Sequence, residues 1–153
     1  MSEELAAVQE RTFAIATRAT VSSYPPERRL SARQLAEYLD RRAFAVIGSR
    51  RPGGRPHAAM SGYVRRGRDF WLPTVAGSVR ERNLRAEPWL TMTVTEGDRD
   101  SHVVVLLEGT ASVVAPAAVP ADVRAAVPGD WVARWIRLTA ERLLSYAAEG
   151  ARP

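Results

Sequence analysis

Ala43-Phe44-Ala45-Val46-Ile47-Gly48-Ser49 is where the chain changes its period. Before it, apolar residues recur at helical spacing. Leu5, Val8, Phe13, Ile15 and Ala16 mark a helix over residues 4–19, and Leu35, Tyr38 and Leu39 mark a second one. Ser31 and Gln34 form a capping box for the second helix, and Ser22-Ser23-Tyr24-Pro25-Pro26 separates the two. From Ala43 onward, short apolar runs alternate with turn residues. Arg51-Pro52-Gly53-Gly54 turns the chain into Pro56 to Arg65, which reads as the second arm of a hairpin. Arg66-Gly67-Arg68-Asp69 turns it again into a third strand, Phe70 to Val75. Trp89 to Thr95, Ser101 to Val114 and Trp131 to Thr139 complete six strands, with a bulge expected at Gly109. A short helix follows Gly77-Ser78 and ends at Pro88; a terminal helix is expected over 140–149. This spacing predicts a mainly β fold, a small six-stranded antiparallel barrel with peripheral helices. One domain is expected over 1–153, with helices in 1–40 and the barrel in 43–139. Long crossover helices are missing, which argues against a doubly wound parallel sheet.

Composition narrows the chemistry. The 153 residues contain no Cys, so thiolate metal sites, disulfides and a Cys nucleophile are excluded. The two His, His57 and His102, lie far apart, and no metal site is expected. The net charge is +5, and every one of the 22 basic residues is Arg. Without Lys there is no Schiff-base mechanism. Arg suits forked binding of phosphate or carboxylate, although a GC-rich coding preference would give the same bias. Met1-Ser2-Glu3-Glu4 does not resemble a secretory signal, and the longest apolar run, Val103 to Leu107, is too short to span a bilayer. A cytoplasmic protein without a membrane partner is the expectation.

The chemistry concentrates in Thr74-Val75-Ala76-Gly77-Ser78-Val79-Arg80-Glu81-Arg82-Asn83-Leu84-Arg85-Ala86-Glu87-Pro88. A strand delivers the chain to a Gly-Ser helix start with Arg80 in its first turn. Unpaired N–H groups, the positive end of the helix dipole, the Ser78 hydroxyl and a guanidinium would together suit an anion. The same pattern also describes a surface helix capped by Ser78 and Glu81 with solvated arginines.

Over roughly residues 31–147 the chain resembles the pyridoxamine 5′-phosphate oxidase-like split barrels, the flavin and deazaflavin oxidoreductase superfamily. The resemblance is carried, in order, by Phe44 to Gly48, Gly54-Arg55-Pro56-His57, Gly77 to Pro88, Val105-Leu106-Leu107-Glu108-Gly109-Thr110-Ala111, and Arg134 to Thr139 followed by Glu141-Arg142-Leu143. It implies an FMN-binding type of split barrel, usually a homodimer, with a redox cofactor in the groove between subunits. Arg80 falls where the family contacts the cofactor phosphate, with Gly77, Ser78 and Thr74 beside it. His57, Ala58, Ala59, Met60 and Ser61 of the second strand would flank the ring. Most relatives carry Lys where this chain has Arg80, and the short Pro-rich connector between Gly109 and Trp131 replaces a longer helix. The cofactor implied is FMN or the deazaflavin coenzyme F420. The Arg80-to-Leu84 run leans toward F420, and Arg50, Arg51, Arg55 and Arg82 would suit its polyglutamate tail.

The activity implied is hydride transfer between the bound cofactor and a small organic substrate. His57 and Tyr63 are the candidates for proton delivery, set against a backbone-satisfied hairpin histidine and a barrel-packing tyrosine. Trp71, Trp89, Trp131 and Trp135 either line a flat ring or pack the core; Trp131 and Trp135 are expected on one strand face. A non-catalytic carrier of a cofactor or tetrapyrrole is the alternative on the same fold. Nucleic-acid binding is not expected, because Arg28-Arg29, Arg41-Arg42, Arg50-Arg51 and Arg65-Arg66 are scattered over turns and helix ends.

Overall fold

A computed structural model describes residues 2–153. The N-terminal segment holds α1 (Ser2–Ile15), α2 (Arg18–Ser23) and α3 (Ala32–Arg41). The single helix expected over 4–19 is thus two, because Thr17 interrupts the first and caps the second by accepting the Thr20 N–H. The Ser31–Gln34 capping box of α3 is present in both directions. Leu5 and Val8 of α1 and Leu35, Tyr38 and Leu39 of α3 are fully buried on the barrel.

The β elements are β1 (Phe44–Arg50), β2 (Pro56–Gly62), β3 (Val64–Arg66), β4 (Asp69–Thr74), β5 (Trp89–Glu96), β6 (Val103–Val114), β7 (Arg134–Thr139) and β8 (Arg142–Ala147). α4 (Val79–Ala86) lies between β4 and β5, and α5 (Ala121–Ala125) lies in the connector. All pairings are antiparallel, in the order β2-β1-β5-β6-β7-β4-β3, with β8 also on β6. The strand count is therefore eight, not six.

Two differences produce the extra strands. The second expected strand breaks at Tyr63, whose N–H turns to the Ala43 carbonyl, so that β2 pairs with β1 and β3 with β4. The terminal helix expected over 140–149 is instead β8, laid along Val103–Glu108. Leu143 and Ser145 point inward and are fully buried, the period of a strand. β6 would otherwise leave half its length unpaired on that side, and β8 satisfies those groups.

Long β6 serves both halves of the barrel. Its first half pairs with β8, and Ala111–Val114 pairs with β7. Gly109 sits at the changeover inside a continuous strand, not at an interruption. A Cβ there would overlap the Thr139 carbonyl oxygen where β7 turns into β8, so the crossing admits only glycine. A smaller apolar cluster, Trp71, Val119, Val123 and Trp135, lies under the connector.

Candidate functional site

β2 is an edge strand, and its free edge faces the end of β4 and the start of α4. Between them lies a cleft of about 410 Å³. His57, Ala59 and Met60 line it from β2, Thr74 and Val75 from the end of β4, and Ser78, Val79 and Arg80 from the start of α4. Phe44 and Trp131 add apolar walls. The structure therefore brings together His57, Ala59, Met60, Ser61, Thr74, Ser78 and Arg80 of the residues expected at the site. Gly77 stands just outside the lining, at φ 72°, the left-handed turn that aims the chain into α4. Ala58, on the outer face of β2 with Met60, does not line the cleft, and Arg55 lies exposed in the β1–β2 hairpin, outside its lining.

Arg80 spans the cleft. It rises from α4 and donates from Nη1 to the Met60 carbonyl on the free edge of β2, at 3.0 Å. Its Nε is buried and has no hydrogen-bond partner. Burial lowers its pKa, but a guanidinium remains charged at neutral pH. A half-buried cation with an unused donor is a point of attraction for an anion.

The helix start departs from expectation. Ser78 caps α4 by accepting the Glu81 N–H at 3.2 Å, which leaves its hydroxyl hydrogen free to donate. Glu81 does not close the box on Ser78. Its buried carboxylate reaches one residue further and accepts the Gly77 N–H at 2.6 Å, with Arg85 at 3.4 Å and Arg134 at 3.7 Å behind it. The Gly77 amide is thus taken by the chain's own anion. What remains for a ligand is Arg80, the Ser78 hydroxyl and the Val79 and Arg80 amides, since the Glu81 amide is taken by Ser78.

His57 lines the cleft with its Nδ1 turned to Ser49 at 3.5 Å. Burial, then the charges of Arg51 and Arg80, lower its pKa, so the ring is neutral at pH 7. Tyr63 is removed from the proton-donor candidates. Its hydroxyl donates to the Leu39 carbonyl at 2.7 Å inside the core, its ring packs edge-on against Phe70, and burial raises its pKa. Trp131 precedes β7 and stands half exposed at the cleft rim, whereas Trp135 is buried, so the two do not share a strand face. His102 stacks on Tyr146 far along the chain from the cleft. Among the described residues no cluster of His, Asp and Glu has the makings of a metal site, and no helix is long and apolar enough to cross a membrane. Several of the paired arginines are engaged in ion pairs: Arg41 and Arg42 with Glu96, Arg65 with Asp40, Arg66 with Asp122.

Sequence reasoning missed Phe44 and Val75 as cleft walls. The alternation in β1 carried the signal for Phe44, since Ala45 and Ile47 point inward and Phe44 and Val46 must point out.

Residues 31–152 match the family model for pyridoxamine 5′-phosphate oxidase. The chain belongs to the pyridoxamine 5′-phosphate oxidase family. Solved structures share the fold. A conserved hypothetical protein from Mycobacterium tuberculosis is 22% identical, with 83% of this chain and 91% of that chain covered and a TM-score of 0.71. An FAD binding protein from Mycobacterium smegmatis is 19% identical, covering 78% and 98%, at a TM-score of 0.64. The heme storage protein HutZ from Vibrio cholerae is 14% identical, covering 77% and 96%, at 0.63. No curated protein matches the sequence. The same fold thus occurs in an FAD binding protein and in a heme storage protein.

Proposed function

We propose that the chain is a cytoplasmic, homodimeric oxidoreductase that binds FMN or coenzyme F420 in the β2–β4–α4 cleft and acts on a small organic substrate. The observation carrying this reading is Arg80: a half-buried guanidinium with an unpartnered Nε, beside the Ser78 hydroxyl, in a cleft otherwise walled by Phe44, Met60, Val75 and Trp131. That donor set fits a flat apolar ring carrying a phosphoryl group. When bound, such a cofactor supplies the hydride chemistry. The protein's own residues have narrower tasks. Arg80 and Ser78 hold the phosphoryl oxygens, the apolar walls exclude water from the ring, and neutral His57 supplies a hydrogen bond. Thr74 is buried at the end of β4, where it lines the cleft and its hydroxyl is turned to the Val75 carbonyl. The run from Arg80 to Leu84 favours F420, whose polyglutamate tail would lie along the exposed Arg51 and Arg55 of the hairpin; the FAD-binding neighbour keeps FMN in play.

A second copy is expected on the outer face of β1 and β2. The register sets Phe44 opposite Gly62 and Val46 opposite Met60, and Phe44 and Met60 are each 62% exposed. Both residues also line the cleft, so a partner covering that face would wall the ring.

The test is an anaerobic spectroscopic titration with FMN and with F420. Saturable binding of one of them supports the reading, and binding of neither overturns it. Mixing the loaded, reduced protein with quinones and enones then separates an oxidoreductase from a carrier, because a carrier gives no oxidation above background.

A further inference from the structure

The imidazole in the cleft is held from behind by two residues on two other elements. Ser49 and His57 are a cross-strand pair in the β1–β2 register, with side chains on the same face. Asn83, 2% exposed on α4, donates from Nδ2 to the Ser49 Oγ at 2.9 Å. The Ser49 Oγ lies 3.5 Å from His57 Nδ1. The Asn83 amide takes one lone pair of Oγ, and the hydroxyl's own hydrogen then has Nδ1 within reach as an acceptor. In that arrangement the proton of the neutral ring sits on Nε2, which has no hydrogen-bond partner among the described residues.

We infer that Asn83 and Ser49 are positioning residues that fix His57 as its Nε2–H tautomer, so that His57 donates a hydrogen bond to a carbonyl oxygen or ring nitrogen of the ligand in the cleft. The ligand half of this inference rests on the proposed function; the tautomer half does not. The relay makes the site selective. A ligand offering an acceptor opposite His57 is satisfied, and one offering only an N–H there meets a second donor. It also makes His57 a fixed donor in the resting protein, not a base, because its accepting nitrogen is already engaged.

The two histidines give the experiment an internal control. His102 Nδ1 lies 3.1 Å from the Arg99 carbonyl, which can only accept, so His102 carries its proton on Nδ1. In long-range proton–nitrogen correlation spectra of the 15N-labelled, cofactor-free protein, the two rings should therefore show opposite tautomers. His102→Gln assigns the signals. Ser49→Ala should turn the His57 pattern into a mixture of tautomers, and Ser49→Thr, which keeps the hydroxyl, should restore it. Asn83→Asp replaces the donor with an acceptor; it should reverse the relay and move the His57 proton to Nδ1. A parent His57 protonated on Nδ1, or a Ser49→Ala pattern identical to the parent's, overturns the inference even where Asn83→Asp fails to fold. For the ligand half, FMN and F420 are added to the same samples. Ser49→Ala should weaken whichever binds by about 3- to 10-fold, the scale of one neutral hydrogen bond, with recovery in Ser49→Thr. Unchanged affinity overturns the ligand half. If neither compound binds the parent, the functional reading fails with it while the tautomer result stands.

Discussion

Arg80 contributes three separable things: a charge, a fork of donors, and a tie between α4 and the free edge of β2. Only the first two serve a ligand, so its removal should show mainly in binding. Arg80→Ala is expected to weaken cofactor binding by roughly 1.5–3 kcal/mol, the range of a charged hydrogen bond, with the thermal unfolding midpoint little changed; calorimetric titration of both proteins checks it. Glu96 is a second residue with a readable signature. Hydrogen bonds from Arg41 foremost, and the charges of Arg41 and Arg42, lower its pKa from 4.5. A carboxylate with a depressed folded pKa gives stability that is complete above 4.5 and drains away as pH falls through the folded value. Glu96→Gln should therefore flatten the acid limb of a stability–pH curve below about 4.5, measured by denaturant midpoints. The position of Arg80 was legible because a helix start advertises its first turn. The destination of the Glu81 carboxylate was not. Ser-x-x-Glu specifies a box closed on Ser78, and only the left-handed turn at Gly77 brings the preceding amide within reach.

Elements were legible in proportion to how local their causes are. The α3 cap, the β1–β2 hairpin and the short α4 follow from residues within a few positions of each other, and all are present. β8 is different. Leu143, Leu144, Ala147 and Ala148 satisfy a helical period as well as a strand's, and the deciding fact is the vacant flank of β6, some forty positions upstream. α1 reveals the same dependence on distant partners. Ser145 of β8 accepts the Leu30 N–H at 2.9 Å and donates to the Gln9 Oε1, while the Gln9 Nε2 donates to the Leu30 carbonyl at 3.0 Å. Thr12 of α1 accepts the Leu143 N–H at 2.9 Å. This buried network ties the N-terminal helix to the last strand. Ser145→Ala leaves the Leu30 N–H and the Gln9 side-chain Oε1 without these partners, and should cost about 1–3 kcal/mol. Hydrogen exchange should localise the loosening to α1 and β8.

For the whole molecule, the sheet has one face packed on helices and another that stays apolar and open around Phe44, Val46 and Met60. Sequence patterning marked β1 as an apolar strand without showing which of its faces stays uncovered, because periodicity reports which residues share a face, not what covers it. Phe44→Asp should convert the parent's expected dimer to a monomer in sedimentation equilibrium with an unchanged far-ultraviolet spectrum; a parent already monomeric would refute the assignment. Phe44 and Met60 also wall the cleft. Two surfaces that share side chains share a free energy, so mass action would couple them. Dilution would then loosen the ligand, and loading would tighten self-association. The apparent dissociation constant would depend on how much protein is in the cuvette.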